Sequence, residues 1–538
     1  MKFPILTLSL CAATSLAWAE GQQATTGTAG TGSSTNKWLP PESSFTKVVL
    51  DEDATVDGVK KDTIDNPMEL AVAPDGRVFW IEIKGDVKMW KPDTKTTVSI
   101  GKIPVFVDRD HGYEDGLLGV TLDPHFAKNG WIYLNHSLPE TTTDAKGQKA
   151  GIIRVSRYTV KGEQIDMASE VKIIDIPEQR VTCCHVGGSL TFDKDGNLYV
   201  SVGDNTNPFD SEGFDPIDER PGHEPWDGQR SAANANALTG KILRVKPKAE
   251  GGYDIPKGNL FKPGTPGTRP EVYVMGNRNP FRISVDRKNG YLYWGEVGPD
   301  AGGPDPLRGP AGFDEVNQAR GPGFFGWPLF VADNKPYLKV DFVERAKFQD
   351  AENAYKEVSK KRQELMKKGE TNNLPELPDR PAPWKPHGIA FDAAHPTNNS
   401  PNNTGIQLLP PAQPAFIYYP SSASTRFPVV GSGGRTAMAG PIYYYDEKNP
   451  SPTKLPKEFD HTLFIYEWSR NWIIAVKLDQ NDKIAKMERF LPTTEIKRPM
   501  DIEMGPDGCL YVIEYGKEWG GNLDTKILRI EYHPQSSL

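Results

Sequence analysis

The stretch Ser189-Leu190-Thr191-Phe192-Asp193-Lys194-Asp195-Gly196-Asn197-Leu198-Tyr199-Val200-Ser201-Val202 decides the fold. Ser189 to Phe192 alternates polar and apolar residues, as a half-buried strand does. Asp193 to Asn197 is a hairpin turn in which Gly196 is free to take positive φ. Leu198 to Val202 is the returning strand. Cys183-Cys184-His185 precedes the hairpin and Gly203-Asp204 follows it. An antiparallel pair brings its two ends together, so His185 and Asp204 are expected at the same end. A His beside a carboxylate is a general-base arrangement, because the carboxylate fixes the tautomer and supports the imidazolium that forms. The local pattern also fits a plainer role, in which His185 caps a loop and Asp204 binds turn amides.

The same strand–turn–strand unit recurs along the chain. It is read at Met68 to Ile81, Gly116 to Leu134, the stretch above, Phe281 to Trp294, Pro441 to Tyr466 and Met500 to Ile513. Long-period repetition of such units predicts an all-β six-bladed β-propeller of four-stranded antiparallel blades. Each unit then takes about 80 residues, above the ~40–50 of common blade families, and the excess is expected in long loops gathered on one face. The counts of 51 glycines and 47 prolines favour turns over long helices in the same way. A net charge of −8 gives no electrostatic reason to expect a nucleic-acid partner.

Met1 to Ala19 reads as a secretory signal peptide, with Lys2, an apolar run from Phe3 to Leu16, and Ala17-Trp18-Ala19 as the cleavage site. That run is too short and wrongly flanked for a membrane span, and no later stretch suffices. A periplasmic or secreted, non-spanning protein is expected. Residues 20–36 form a Gly/Ser/Thr-rich flexible leader, and residues 37–538 a single propeller domain. Residues 343–370 break the strand pattern. They are dense in Lys, Glu, Gln and Ala and read as a polar helix inserted between blades four and five, with Glu364 four residues before Lys368. Residues 371–414 read as a long Pro- and Asn-rich loop. Removing the signal leaves Cys183, Cys184 and Cys509. Adjacent Cα atoms sit about 3.8 Å apart, below the usual disulfide range of roughly 4.4–6.8 Å. A vicinal disulfide and a pair of reduced, buried thiols are both open readings.

Two clusters flank the fourth unit. Gly276-Asn277-Arg278-Asn279-Pro280 precedes it and Gly295-Glu296-Val297-Gly298-Pro299-Asp300 follows it, so both emerge at one end of that blade. Arg278 offers a planar cationic fork for a carboxylate or a developing oxyanion. The carbonyls of Gly298 and Pro299 suit a hard cation such as calcium. A structural salt bridge and a tight turn are the plainer readings.

Taken together, these motifs resemble a known family. His185 with Asp204 across the hairpin, Gly276 to Pro280, Gly295 to Asp300, Asp314-Glu315-Val316-Asn317 and Gly326-Trp327-Pro328 occur in that order, after Glu114 to Gly119 and Asp123 to Phe126. Over most of residues 67–328, and more weakly over 435–532, the chain is similar to the soluble quinoprotein glucose/sorbosone dehydrogenases. The resemblance implies a six-bladed propeller that holds pyrroloquinoline quinone (PQQ) over its central channel, with Ca2+ at the cofactor. It implies an aldose dehydrogenase in which His185 takes the proton of a sugar hydroxyl as hydride passes to the quinone. Asp204 would support His185, and Arg278 would stabilise the reduced quinone's charge. Glu114, Asn279 and Thr436 would contact the cofactor, and the carbonyls of Gly298 and Pro299 would hold the metal. The implied partners are a sugar and a periplasmic electron acceptor such as a cytochrome or a quinone.

The chain departs from that pattern at the cofactor's carboxylates. The family's glucose enzymes place a Lys and two Arg there, and this chain has Ser469, Arg498 and Met500. Arg435 and Arg470 are the neighbouring cations available to compensate. Two other readings therefore stay open: a quinone-free carbohydrate-binding or lyase/hydratase propeller that uses His185 as base, and an interaction propeller that docks a partner through residues 343–370.

Overall fold

The Asp193 carboxylate shows why the chain reverses where it does. It accepts the amides of Asp195 and Asn197, each at 2.9 Å, and the Asn197 side chain at 2.7 Å. Gly196 supplies a φ of 75° that a side chain would resist. Strands Gly187–Phe192 and Leu198–Val202 leave this turn with Phe192 opposite Leu198 and Leu190 opposite Val200.

The computed structural model describes residues 38–108, 111–305, 308–381 and 389–534. The expected signal peptide and leader lie outside the described residues, as do residues 382–388 of the expected loop. Six blades are each built on four antiparallel strands. Their inner hairpins are Pro67–Val72 with Val78–Glu82, Leu117–Leu122 with Trp131–Ser137, Gly187–Phe192 with Leu198–Val202, Pro280–Val285 with Leu292–Glu296, Ala437–Tyr443 with Thr462–Glu467, and Pro499–Met504 with Leu510–Glu514. These are the six units read from the sequence. The first strands of the hairpins meet in a closed ring, the sixth packing back on the first.

The N-terminal strand Phe45–Glu52 pairs antiparallel with Lys526–Tyr532 and becomes the outer strand of the sixth blade. The N- and C-terminal strands of the described residues are thus joined within one sheet, which completes the sixth blade. In every inner hairpin the register slips within the first strand, near its start as between Gly187 and Leu190 or Pro280 and Arg282, and mid-strand between Ala439 and Ile442. Such bulges bend a strand and re-aim the residues before it. Below the bulges a buried polar network links the first strands of the blades. Arg282, fully buried, donates to the carbonyls of Phe281, Met68 and Met500 and lies 3.7 Å from Asp501, joining blades four, one and six. Glu69 accepts the Val120 amide and the Ser189 hydroxyl, which adds blades two and three.

The polar insertion is a helix, Phe342–Lys367, with no buried residue. The Asp341 carboxylate caps it by accepting the amides of Val343 at 2.9 Å and Glu344 at 3.0 Å. It lies between the fourth and fifth hairpins, and more narrowly inside the fourth blade, after strand Asp314–Ala319 and before the outer strand Ile417–Tyr419. The Asn-rich part of the following loop is an anchor. Asn398 is fully buried and donates to the carbonyls of Gln229 and Ala233, while Ser400 and Asn402 bond the Asp227 carboxylate. The loop thereby braces the long connection inside the third blade.

Candidate active site

In an antiparallel hairpin, the residue before the first strand and the residue after the second share one end. Glu114, His185, Asn279, Thr436 and Arg498 lie just before first strands. Asp204, Gly298, Ser469 and Tyr515 lie just after second strands. The six-fold repeat therefore gathers them all on one rim.

His185 is the centre of this rim. Its Nδ1 lies 2.8 Å from Asp204 Oδ1, with both side chains buried. Burial alone would raise the Asp204 pKa. The His185 charge and hydrogen bond, the Thr206 amide and the Arg278 charge outweigh it and hold the carboxyl below its usual range. An ionised Asp204 only accepts, so Nδ1 carries a proton, and in the neutral form of the ring Nε2 keeps its lone pair. Nε2 has no hydrogen bond among the described residues, which leaves it available as a base. His185 itself adopts a left-handed φ of 58°, an uncommon conformation for a side-chain-bearing residue. Glu114 Oε2 holds its amide at 2.8 Å, and its carbonyl accepts the Asn205 amide at 3.1 Å. Gly203 is required beside it, because a methyl group there would overlap the His185 carbonyl.

Asn279 and Arg278 close in from the fourth blade. Asn279 Oδ1 accepts the Gly187 amide at 3.0 Å, and its Nδ2 reaches Glu114 Oε2 at 3.4 Å. Arg278 Nη1 donates to the Val297 carbonyl at 2.9 Å, and its own carbonyl accepts the Asp204 amide at 2.7 Å. Two residues without an assigned role in the sequence reading hold this arrangement. Trp327 Nε1 donates to Asp204 Oδ2 at 2.7 Å. Glu296 Oε1 accepts the amides of both Arg278 and Asn279, the latter at 2.6 Å. Each stands inside a motif already quoted, Gly-Trp-Pro and Gly-Glu-Val-Gly-Pro-Asp, and that is the only signal the sequence carried.

The remaining expected residues divide. Thr436 Oγ1 pairs with Ser469 Oγ at 2.7 Å on the same rim. Arg498 packs over the rings of Trp468 and Trp519, with centroids at 4.1 and 5.1 Å. Arg470 turns away from the rim. Its guanidinium donates to the carbonyls of Pro420, Val430, Gly431, Gly433 and Gly434 and stacks on Tyr419. The Gly298 amide donates to Asp314 Oδ1 at 3.0 Å, and the Pro299 carbonyl accepts Arg435 Nη2 at 2.7 Å. The sulfur atoms of Cys183 and Cys184 lie at bonding distance beside His185, and Cys509 is a buried free thiol in the sixth blade. Among the described residues, no helix is long and apolar enough to cross a membrane.

Buried carboxyls beneath the rim set a pH dependence. Burial pushes Glu315 up to about 7. Below the unfolded value, near 4.5, both states hold this proton and nothing is lost. As pH rises toward 7 the unfolded chain has released it while the folded chain keeps it, so folding weakens. The midpoint of thermal unfolding should fall between pH 5 and 8, with Glu315 contributing about 2 kcal/mol. Glu315→Gln should flatten that fall, because Asn317, whose Oδ1 has no partner, can flip to accept from the new amide. A midpoint that rises across this range would contradict the assignment. Asp204 acts in the opposite sense, its contribution being lost only as pH falls into the acid range.

Comparison with known proteins places this arrangement. The glucose/sorbosone dehydrogenase family model matches residues 64–360. The chain is 27% identical to the aldose sugar dehydrogenase YliI of Escherichia coli over 459 residues, which is 85% of this chain and 88% of that protein. It is also 27% identical to the HIPL2 protein of Arabidopsis thaliana, but spans only 42% of that protein's length. Among solved structures, the soluble aldose sugar dehydrogenase of Escherichia coli in its apo form superposes with a TM-score of 0.51 at 18% identity, covering 90% of this chain and 99% of that one. The PQQ-bound aldose sugar dehydrogenase of Streptomyces coelicolor gives 0.50 at 18% identity, covering 92% and 99%. At these identities the structural likeness speaks to the fold.

Proposed function

Because the chain belongs to the glucose/sorbosone dehydrogenase family, we propose that it is an exported aldose dehydrogenase that uses PQQ and works in the periplasm or outside the cell. The observation that carries the cofactor reading is a set of unpartnered guanidinium nitrogens. Arg278 Nε, Arg435 Nη1 and Arg498 Nη1 are buried and have no hydrogen-bond partner among the described residues. They sit on the rims of three consecutive blades, four, five and six. A buried, unpartnered guanidinium nitrogen is costly, and a planar guest with three carboxylates is the kind of ligand that relieves three of them. Arg278, Asn279, Glu114, Thr436, Arg435 and Arg498 would hold PQQ, which supplies a two-electron acceptor for hydride.

His185 supports the chemistry on the substrate side. Nε2 takes the hydroxyl proton of the sugar, and the imidazolium that forms is stabilised by the ionised Asp204 behind it. Trp327 and Thr206 keep that carboxylate oriented, so the ring does not reorganise as charge develops. Cys183 and Cys184, bonded in an oxidising compartment, form a firm apolar shoulder directly before the base. Electrons leave to an external acceptor, a cytochrome or a quinone.

One observation favours a second reading, a carbohydrate-handling propeller without the quinone. Ser469 and Met500 stand where the family's glucose enzymes place a Lys and an Arg, so two of the expected cations are lacking, and Arg470, a candidate replacement, is spent on backbone carbonyls. Titration of the purified protein with PQQ, followed by absorbance and calorimetry, separates the two. A sub-micromolar complex that an aldose bleaches and a dye reoxidises is the expected result. Absence of binding at high micromolar PQQ would overturn the dehydrogenase reading in favour of the second.

A further inference from the structure

The resemblance puts calcium on the carbonyls of Gly298 and Pro299, but the residues present do not fit it. A guanidinium is already there. Arg435 Nη2 donates to the Pro299 oxygen at 2.7 Å, and the Arg435 side chain is only 4% exposed. The placement is built into the backbone. One carboxylate, Asp314, accepts the Gly298 amide through Oδ1 at 3.0 Å and the Ala437 amide through Oδ2 at 2.9 Å. It therefore ties the chain around Pro299 to the chain around Arg435. Asp314 Oδ1 also lies 3.8 Å from Arg435 Nη1, so the buried charge of the arginine is matched. Gly312 packs on the other side. A methyl group there would overlap the Pro299 oxygen and stand 3.0 Å from Arg435 Nη2. The carbonyl is pinned between the Gly312 backbone and the guanidinium.

A calcium ion needs six to eight oxygens at about 2.3–2.6 Å. At that distance from the Pro299 oxygen it would stand within about 5 Å of Arg435, where a double and a single positive charge repel strongly in a partly dry site. The nearest buried carboxylate is already matched to the arginine, and Asp300, 3.6 Å from Nη2, points its side chain into solvent at 93% exposure. Meanwhile Arg435 Nη1 is buried and has no hydrogen-bond partner among the described residues. One arm of the fork holds the backbone carbonyl and the other is left for a guest.

We propose that Arg435 is a built-in cation that takes the place of calcium at the Pro299 carbonyl, so that this chain holds its cofactor without a metal. The inference rests on the reading of this rim as a PQQ site. It is tested on the metal-stripped, full-length protein with two probes, calcium (or terbium, read by luminescence) alone and PQQ alone. Wild-type protein should take up no stoichiometric ion at this rim, and its PQQ affinity should be the same in chelator and in millimolar calcium. Arg435→Ala should gain an ion site, and its PQQ affinity should become calcium-dependent by about tenfold or more. Arg435→Lys, which keeps the charge, should behave as wild type. Wild-type protein that binds PQQ only with calcium overturns the proposal, as does an Arg435→Ala protein that folds and gains no ion. Should Arg435→Ala not fold, the wild-type response to chelator decides alone. Should wild type bind no PQQ under any condition, the cofactor reading has failed, and the ion titrations of wild type against Arg435→Ala still decide whether the arginine excludes the metal.

Discussion

Asp204→Asn should lower kcat by about 10²–10⁴ while leaving the fold and the sugar KM nearly unchanged. Hydrogen-bond parity at the carboxylate sets this loss. The ionised carboxylate accepts from three donors: His185 Nδ1 at 2.8 Å, the Thr206 amide at 3.0 Å and Trp327 Nε1 at 2.7 Å. Asparagine has one acceptor oxygen and one donor nitrogen. If its oxygen faces His185, its NH2 confronts Trp327 Nε1, and two buried donors are left opposed at a cost of about 1–3 kcal/mol. If it flips, its NH2 donates to Nδ1, the imidazole proton moves to Nε2, and the base is gone. Either way the imidazolium loses the negative charge behind it. His185→Gln should lose at least as much activity, because no other group replaces Nε2. Steady-state kinetics of the cofactor-loaded variants checks both, with PQQ titration as the control that the rim still binds. An Asp204→Asn enzyme retaining half of wild-type kcat would mean that His185 is not the base.

The legibility of this molecule follows the range of the forces involved. The six hairpins were readable from short-range alternation, and four of them also from a local turn at an Asp-Gly or Asn-Gly pair, as at Asp195-Gly196. The outer strands were not. Lys149–Lys161 and Gln164–Gln179 are long and irregular in burial, with Val155 to Tyr158 buried in succession and no buried residue from Asp166 to Lys172, and the seal made by Phe45–Glu52 depends on a partner at the other end of the chain. The site divides in the same way. His185 and Asp204 could be paired from sequence because one hairpin carries both. The roles of Trp327 and Glu296 could not, since they appear only when the chain folds back from distant positions. Arg470 shows the converse error. A lone arginine near the expected site reads as a free cation, but the loop at 420–434 turns five carbonyls toward it, and that loop has no sequence signature of its own. The Pro299 carbonyl is a milder case, because the motif marks the position correctly and only the fold reveals that Arg435 reaches it.

Glu296→Ala should be the most damaging single change to the rim, at about 3–5 kcal/mol. One buried oxygen, Oε1, accepts two consecutive amides, those of Arg278 and Asn279, and Oε2 lies 3.3 Å from Trp294 Nε1. Truncation leaves three buried donors unpaired and removes a packed side chain. The damage is also directed at function. Asn279 holds Gly187 and Glu114, and Glu114 holds the left-handed backbone of His185, so slack at Asn279 is passed to the base. Glu296→Gln should cost only about 1 kcal/mol, because its oxygen still serves both amides and only the Trp294 contact becomes donor against donor. The two variants also separate by pH. Burial, then the neighbouring charge of Glu315, pushes Glu296 well above the usual carboxylate range. The wild-type fold therefore loses stability as pH rises from the unfolded value through that raised one, a loss the neutral glutamine does not share. Denaturant unfolding at pH 5.5 and 8 should show Glu296→Gln below wild type at the lower pH and level with it, or above, at the higher. If Glu296→Ala loses less than about 1 kcal/mol, the two amides have found other partners, and the rim is not held together through this residue.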